Sequence, residues 1–157
     1  MTGTGTAAVA GCVGGEAPPC TTAYHLVYSG DVTGTPFSDL TPPRDAVLSG
    51  YLDVPAQGFD AATNCYSGTL GLFELRVHRG AKTVLAFAES VSGTYCTHGG
   101  GGSFTGTYTV DSSDTRDPYF RDAVGSGVIS LTDSLDLAGA NAGVFSRDDS
   151  GTITTRR

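Results

Sequence analysis

Two long alternating runs set around Arg79-Gly80-Ala81-Lys82 constrain the fold more than any other feature of the chain. Side chains on a strand alternate between faces, so a period of two over this length is what a half-buried antiparallel hairpin requires. Gly80-Ala81 fits a two-residue turn with glycine first, the type II′ preference, which sets Arg79 opposite Lys82. Counting outward from the turn, Val77 meets Val84, Leu70 meets Val91, Gly68 meets Gly93, Tyr66 meets Tyr95 and Cys65 meets Cys96. Like faces like along the ladder, and a Cys65–Cys96 disulfide follows from the register. In the chain-entropy account a bridge closing a loop of this size is worth roughly 3 to 4 kcal/mol.

The same period runs on through most of the chain. It predicts strands at Thr21–Ser29, Ala46–Val54, Cys65–Arg79, Lys82–Cys96, Ser103–Val110, Val124–Thr132 and Gly143–Thr154. Turn-rich breaks separate them: Thr35–Arg44 with its prolines, Pro55–Asn64, His98–Gly102 with its glycine run, Asp111–Arg121 and Asp133–Ala142. A single lysine, glutamates only at 16, 74 and 89, and 23 glycines leave too few helix formers for long helices. The expected fold is all-β, a single antiparallel barrel of seven to eight strands, because closure removes the edges that invite aggregation. A β-sandwich is the alternative. Residues 21–157 would form the barrel domain, behind a Gly/Thr/Ala-rich leader over residues 1–20.

Charge and cysteines narrow the functional classes. A net charge of −7 with no Lys/Arg cluster repels phosphate backbones, so nucleic acid is not an expected partner. No apolar run reaches the roughly 18 residues of a transmembrane helix. Four cysteines, none in a Cys-x-x-Cys, suit an oxidising, secreted or cell-surface setting, with Cys12 left to pair with Cys20. Val9-Ala10-Gly11-Cys12 is similar to the end of a lipoprotein signal. No basic residue or long apolar stretch precedes it, and acylation of Cys12 would strand Cys20, so a lipid anchor is disfavoured. Metal-ligand spacings, a serine nucleophile elbow and a phosphate loop followed by a helix are all lacking, so the expectation is no metal and no cofactor.

Glycines and rings share one face in Phe104-x-Gly106-x-Tyr108-x-Val110, Tyr66-x-Gly68-x-Leu70-x-Leu72 and Val91-x-Gly93-x-Tyr95, and that face is expected to look inward. In the same register that face also carries Glu74, Arg76 and Glu89, the candidate catalytic groups. A carboxyl desolvated among Leu70, Leu72, Leu85 and Phe87 would have a raised pKa suited to general acid or base work, with Arg76 holding the other acid ionised or orienting an acidic substrate. Tyr24, Tyr28, Leu72, Phe87 and Tyr108 are the expected ligand-lining residues. The alternative makes Glu74, Arg76 and Glu89 ordinary exposed cross-strand charges. With the glycine-and-ring face inward, Phe73, Leu75 and Val77 lie outside and need a covering surface, such as a second copy in a homo-oligomer or a packed terminus.

Two stretches carry a resemblance: Gly58-Phe59-Asp60-Ala61-Ala62-Thr63-Asn64-Cys65-Tyr66-Ser67-Gly68 and Gly102-Ser103-Phe104-Thr105-Gly106-Thr107-Tyr108-Thr109-Val110. They resemble patterns of secreted bacterial barrels in the allene oxide cyclase and dirigent (calycin-like) group, over about Thr21 to Thr132. The segment Arg121–Gly127 is only similar to the glycine-rich stretch that follows there, and the insertion around Thr115–Phe120 departs from it. The resemblance implies an eight-stranded barrel whose interior binds a hydrophobic or amphipathic small molecule, in some relatives with cofactor-free cyclisation. The expected function is therefore a secreted small-molecule-binding barrel, with cyclase or isomerase activity as its enzymatic form. A non-catalytic carrier and a structural or surface-assembly protein are the alternatives.

Overall fold

The alternating runs become nine strands in a computed structural model that describes residues 1–40, 44–139 and 141–155. They are β1 (Thr2–Cys12), β2 (Ala23–Thr33), β3 (Ala46–Pro55), β4 (Phe59–Asp60), β5 (Cys65–Arg79), β6 (Lys82–His98), β7 (Gly101–Asp111), β8 (Val124–Asp133) and β9 (Ala142–Thr154). Parts of two expected breaks, residues 41–43 and 140, lie outside the described residues, as does the end of the expected barrel domain, 156–157. Among the described residues the helical structure is one 3-10 turn, Ala56–Gly58, and no helix is long and apolar enough to cross a membrane.

Eight strands form a closed antiparallel ring, each beside its sequence neighbour, with β3 on β5 and β9 returning to β1. Strand β4 lies outside the ring against the start of β5. The expected all-β barrel is the observed one. Its interior is filled by side chains, as suits eight strands. Leu26, Leu48, Leu52, Phe73, Leu75, Phe104 and Tyr95 have essentially no exposure.

The leader expected over residues 1–20 is corrected by β1. Thr2–Thr33 through Val9–Leu26 pair with β2, and Thr2–Asp148 through Ala8–Ala142 pair with β9, so this stretch closes the ring. Of its inward residues, Gly3, Gly5 and Ala7 are too small to register, which leaves Val9 alone and no hydrophobic alternation. They are small because the backbones crowd: a Cβ on Gly5 would lie 2.2 Å from the Ser29 carbonyl oxygen.

The central hairpin keeps its expected register at both ends and loses it between. Cys65 to Ser67 pair with Cys96 to Thr94, and Arg76 to Arg79 pair with Leu85 to Lys82, across a turn in which Gly80 has φ +61°. Between these stretches the ladder slips by one residue, because Gly68 is an extra residue in β5 and Ala86 an extra residue in β6. Gly68 has φ +77°, the left-handed conformation of a glycine bulge. One inserted residue reverses the facing of everything after it. Phe73, Leu75 and Val77 therefore fill the core, while Leu70 lies 59% exposed on the outer surface.

The two ends of the barrel differ. One holds both disulfides, Cys12–Cys20 and Cys65–Cys96. There Asp133 of β8 accepts hydrogen bonds across the interior from Tyr28 (2.8 Å), Tyr95 (2.9 Å) and the Leu135 N–H (3.1 Å). At the other end the β2–β3 and β7–β8 loops fold inward. Phe37 stacks on Phe87 with ring centroids 5.8 Å apart, and Phe120 packs on both at 5.6 Å. The β7–β8 loop is tied down by Thr115, whose hydroxyl donates to the Leu85 carbonyl at 2.9 Å beside the Ala86 bulge. Buried Asp117 adds a second tie, accepting from Arg44 at 2.6 Å with Arg79 at 3.4 Å.

Candidate functional site

Strand β9 points Phe145, Arg147 and Asp149 inward in alternation, each buried. From β6, Glu89 projects to the same point, opposite Phe73 on β5. The Arg147 guanidinium donates from Nε to both Asp149 oxygens (2.9 and 2.8 Å), and its Nη2 bridges Asp149 and Glu89. Its carbon lies 4.7 Å from the centre of the Phe73 ring, a cation–π contact. Glu89 Oε1 and Arg147 Nη1 have no hydrogen-bond partner among the described residues. Burial pushes the Glu89 carboxyl above the usual glutamate range, with Arg147 opposing and the Asp149 charge reinforcing the shift. A buried acid–arginine–acid cluster is costly to assemble, because attraction to one guanidinium has to offset the desolvation of three ions.

Above this cluster, at the aromatic-plugged end, lies a cleft of about 710 Å³. The β2–β3 loop supplies Thr35, Pro36 and Asp39, the β7–β8 loop supplies Tyr119, and β9 supplies Asp149 and the stretch from Gly151 onward. Tyr108 of β7 forms part of the floor. Its ring fits because its neighbours are glycines: a Cβ at Gly127 would come within 2.8 Å of the ring, and one at Gly151 within 2.7 Å of the hydroxyl. Tyr108 is 3% exposed, and its hydroxyl has no partner among the described residues. Burial, then the Glu89 and Asp149 charges, raise its pKa, so the hydroxyl keeps its proton and can donate it in a hydrogen bond.

The structure brings together two of the expected site residues, Glu89 and Tyr108, and separates the rest. Glu74 and Arg76 are corrected: they form a half-exposed ion pair of 2.6 Å on the outer wall, because the Gly68 bulge turns them away from the interior. Leu72 is corrected for the same reason and lies on the outer face. Phe87 is inside but belongs to the aromatic plug. Tyr24 packs edge-on against Tyr66, and Tyr28 is committed to Asp133, both away from the cleft. Tyr28 and Tyr95 are raised well above the ordinary tyrosine range, chiefly by burial and then by the Asp133 charge. The Cys65–Cys96 and Cys12–Cys20 bridges are formed as expected.

Sequence reasoning missed Arg147 and Asp149. Their signal is visible in hindsight: Phe145, Arg147, Asp149, Gly151 and Ile153 share one parity, and two of them are charges on a face that begins with phenylalanine. Among the described residues, no group of three His, Cys, Asp or Glu side chains is arranged to hold a metal ion. Fold and site together define a closed up-and-down barrel with a packed axis and a polar cleft at one rim. No protein-family model, curated protein or solved structure matches the chain.

Proposed function

We propose that this barrel binds an amphipathic small molecule without a cofactor, in the rim cleft and not along the barrel axis. The observation that carries the reading is Tyr108, whose ring is buried while its hydroxyl, without a partner among the described residues, faces the floor of a 710 Å³ cleft. A ligand oxygen or nitrogen that replaces water on this hydroxyl gains a hydrogen bond in a site already ordered by the buried ring. The mixed lining, with rings and Ile153 beside threonine hydroxyls and carboxylates, suits a molecule with one apolar and one polar side. Binding is favoured over turnover: Glu89, the group with the raised pKa, has no exposure and is held beneath Arg147. The two disulfides are compatible with work in an oxidising compartment.

The test uses three probes of one skeleton, 2-phenylethanol, phenethylamine and phenylacetate, followed by NMR at the methyl groups of Ile153 and Thr152. 2-Phenylethanol should shift these signals, phenethylamine more weakly and phenylacetate not at all, since no Lys, Arg or His side chain lines the cleft and the Met1 ammonium there is held by the Asp149 carbonyl. Tyr108→Phe should weaken the phenylethanol complex by roughly 0.5 to 1.5 kcal/mol, the worth of one hydrogen bond. Cleft signals that none of the three probes moves would end the proposal.

A further inference from the structure

We infer that the molecule taken by this cleft is a neutral, polyhydroxylated one, a short oligosaccharide, recognised by threonine hydroxyls, the Asp39 carboxylate and the Tyr108 hydroxyl. This rests on the cleft being a small-molecule site, and it names the chemistry of the occupant.

The lining decides between ligand classes. Thr35, Thr152, Thr154 and Thr155 all border the cleft, and their hydroxyls have no hydrogen-bond partner among the described residues. Spread over two sides, they offer donors and acceptors at several separate points. An ammonium ligand needs one focal carboxylate instead. Asp149 is a poor candidate, because Arg147 already occupies both of its oxygens, and Asp39 stands out at the rim. An anionic ligand finds no Lys, Arg or His side chain in the lining; the Met1 ammonium there already donates to the Asp149 carbonyl at 2.8 Å, and the one guanidinium nearby is committed to Glu89 and Asp149. A wholly apolar ligand would have to strip water from the hydroxyls and carboxylates and give nothing in return.

A sugar meets each of these features. Its hydroxyls both donate and accept, so adjacent pairs can donate to a carboxylate and receive from threonine or tyrosine. Its C–H face can lie on an aromatic ring, and Tyr119, half-buried on the loop side of the cleft, presents one. Tyr108 supplies the fixed donor. Its ring is held against Gly127 and Gly151, where a Cβ would collide with it. The volume, about 710 Å³, falls within the usual range of ligand clefts and leaves room for more than one pyranose ring.

The experiment titrates the full chain with cellotriose, mannotriose and N-acetylchitotriose, again by NMR at Ile153 and Thr152, alongside the three phenyl probes. At least one trisaccharide should shift the cleft signals, and Tyr108→Phe should weaken it about tenfold while leaving the rest of the spectrum in place. If phenyl probes move the cleft signals and no trisaccharide does, the saccharide inference is overturned and the small-molecule reading stands. If neither moves them, both fall. A trisaccharide that shifts only signals away from the cleft, or binds Tyr108→Phe as tightly as the parent, also overturns it.

Discussion

Replacing Arg147 by Met probes the buried cluster most directly. The substitution keeps the length of the side chain and removes the charge between two carboxylates, Glu89 at 0% exposure and Asp149 at 6%. Breaking a buried ion pair by removing one partner costs about 3–5 kcal/mol at neutral pH, against a total stability of about 5–15 kcal/mol for a typical domain. The loss has to depend on pH. Without the guanidinium, only the weaker pull of the N-terminal ammonium opposes the desolvation that already raises the Glu89 carboxyl, so its folded-state pKa climbs further above the unfolded value of about 4.3. A group with a raised pKa contributes its stability below the unfolded value and loses it as pH rises towards the folded one. Urea unfolding with disulfides intact should therefore show a deficit of about 1–2 kcal/mol at pH 4, from lost packing and the Phe73 contact. At pH 7 the deficit should reach about 3–5 kcal/mol. Neutralising all three positions, Glu89→Gln with Arg147→Met and Asp149→Asn, should recover most of the pH 7 loss. A deficit equal at the two pH values, or no recovery in the triple variant, refutes the reasoning.

The other expectations are simpler. Serine at Cys65 and Cys96 should cost about 4 kcal/mol in urea unfolding, and serine at Cys12 and Cys20 about 2.5 kcal/mol, since the bridges span separations of 31 and 8 residues. Gly68→Ala should cost about 1–2 kcal/mol from its φ of +77° alone, because the added Cβ meets only Pro55 Cγ at 3.7 Å; thermal unfolding reads this. Glu74→Gln and Arg76→Gln should each change stability by less than about 1 kcal/mol and leave probe binding at the cleft unaltered, as befits an outer-wall ion pair. Tyr95→Phe should cost about 1.5–3 kcal/mol by chemical denaturation, since it takes one donor from the buried Asp133 carboxylate.

What was legible in the sequence was whatever a period of two can carry. Strand positions, the Gly80 turn, the Cys65–Cys96 bridge and the inward run Phe104, Gly106, Tyr108 all depend on alternation and on one well-defined turn. What was not legible depends on single residues that break alternation. Gly68 reads as one more glycine on the ring-bearing face, yet it shifts the ladder and sends Glu74 and Arg76 outside. The warning was the row Phe73, Leu75, Val77, which an outward facing left uncovered. Burial of three apolar side chains, each worth about 1.5–3 kcal/mol, outweighs the register that pairs glycine with glycine. β1 was hidden for the opposite reason, since three of its inward residues, Gly3, Gly5 and Ala7, carry almost no hydrophobic signal. Glu89 kept its inward place because no extra residue separates it from Tyr95 on β6.

The distribution of polar groups along the barrel axis ties fold to function. At the disulfide end, Asp133 is satisfied by Tyr28, Tyr95 and the Leu135 N–H, and the covalent bridges hold the rim around it. Such a network stabilises one arrangement and presents nothing to a ligand. At the opposite end the polar groups are incompletely matched: Glu89 Oε1, Arg147 Nη1 and the Tyr108 hydroxyl have no partner among the described residues. The aromatic plug of Phe37, Phe87 and Phe120 excludes water from one side of that end, while the cleft keeps Tyr108 and Asp149 in reach from the other. A barrel selected only for stability would do as well or better with apolar residues at positions 89, 147 and 149, because replacing a buried ion cluster by packed hydrophobic side chains is often neutral or stabilising. The cluster's place directly beneath the cleft floor, and the glycines that make room for Tyr108 above it, are accounted for together if that end of the barrel is built to receive a polar molecule.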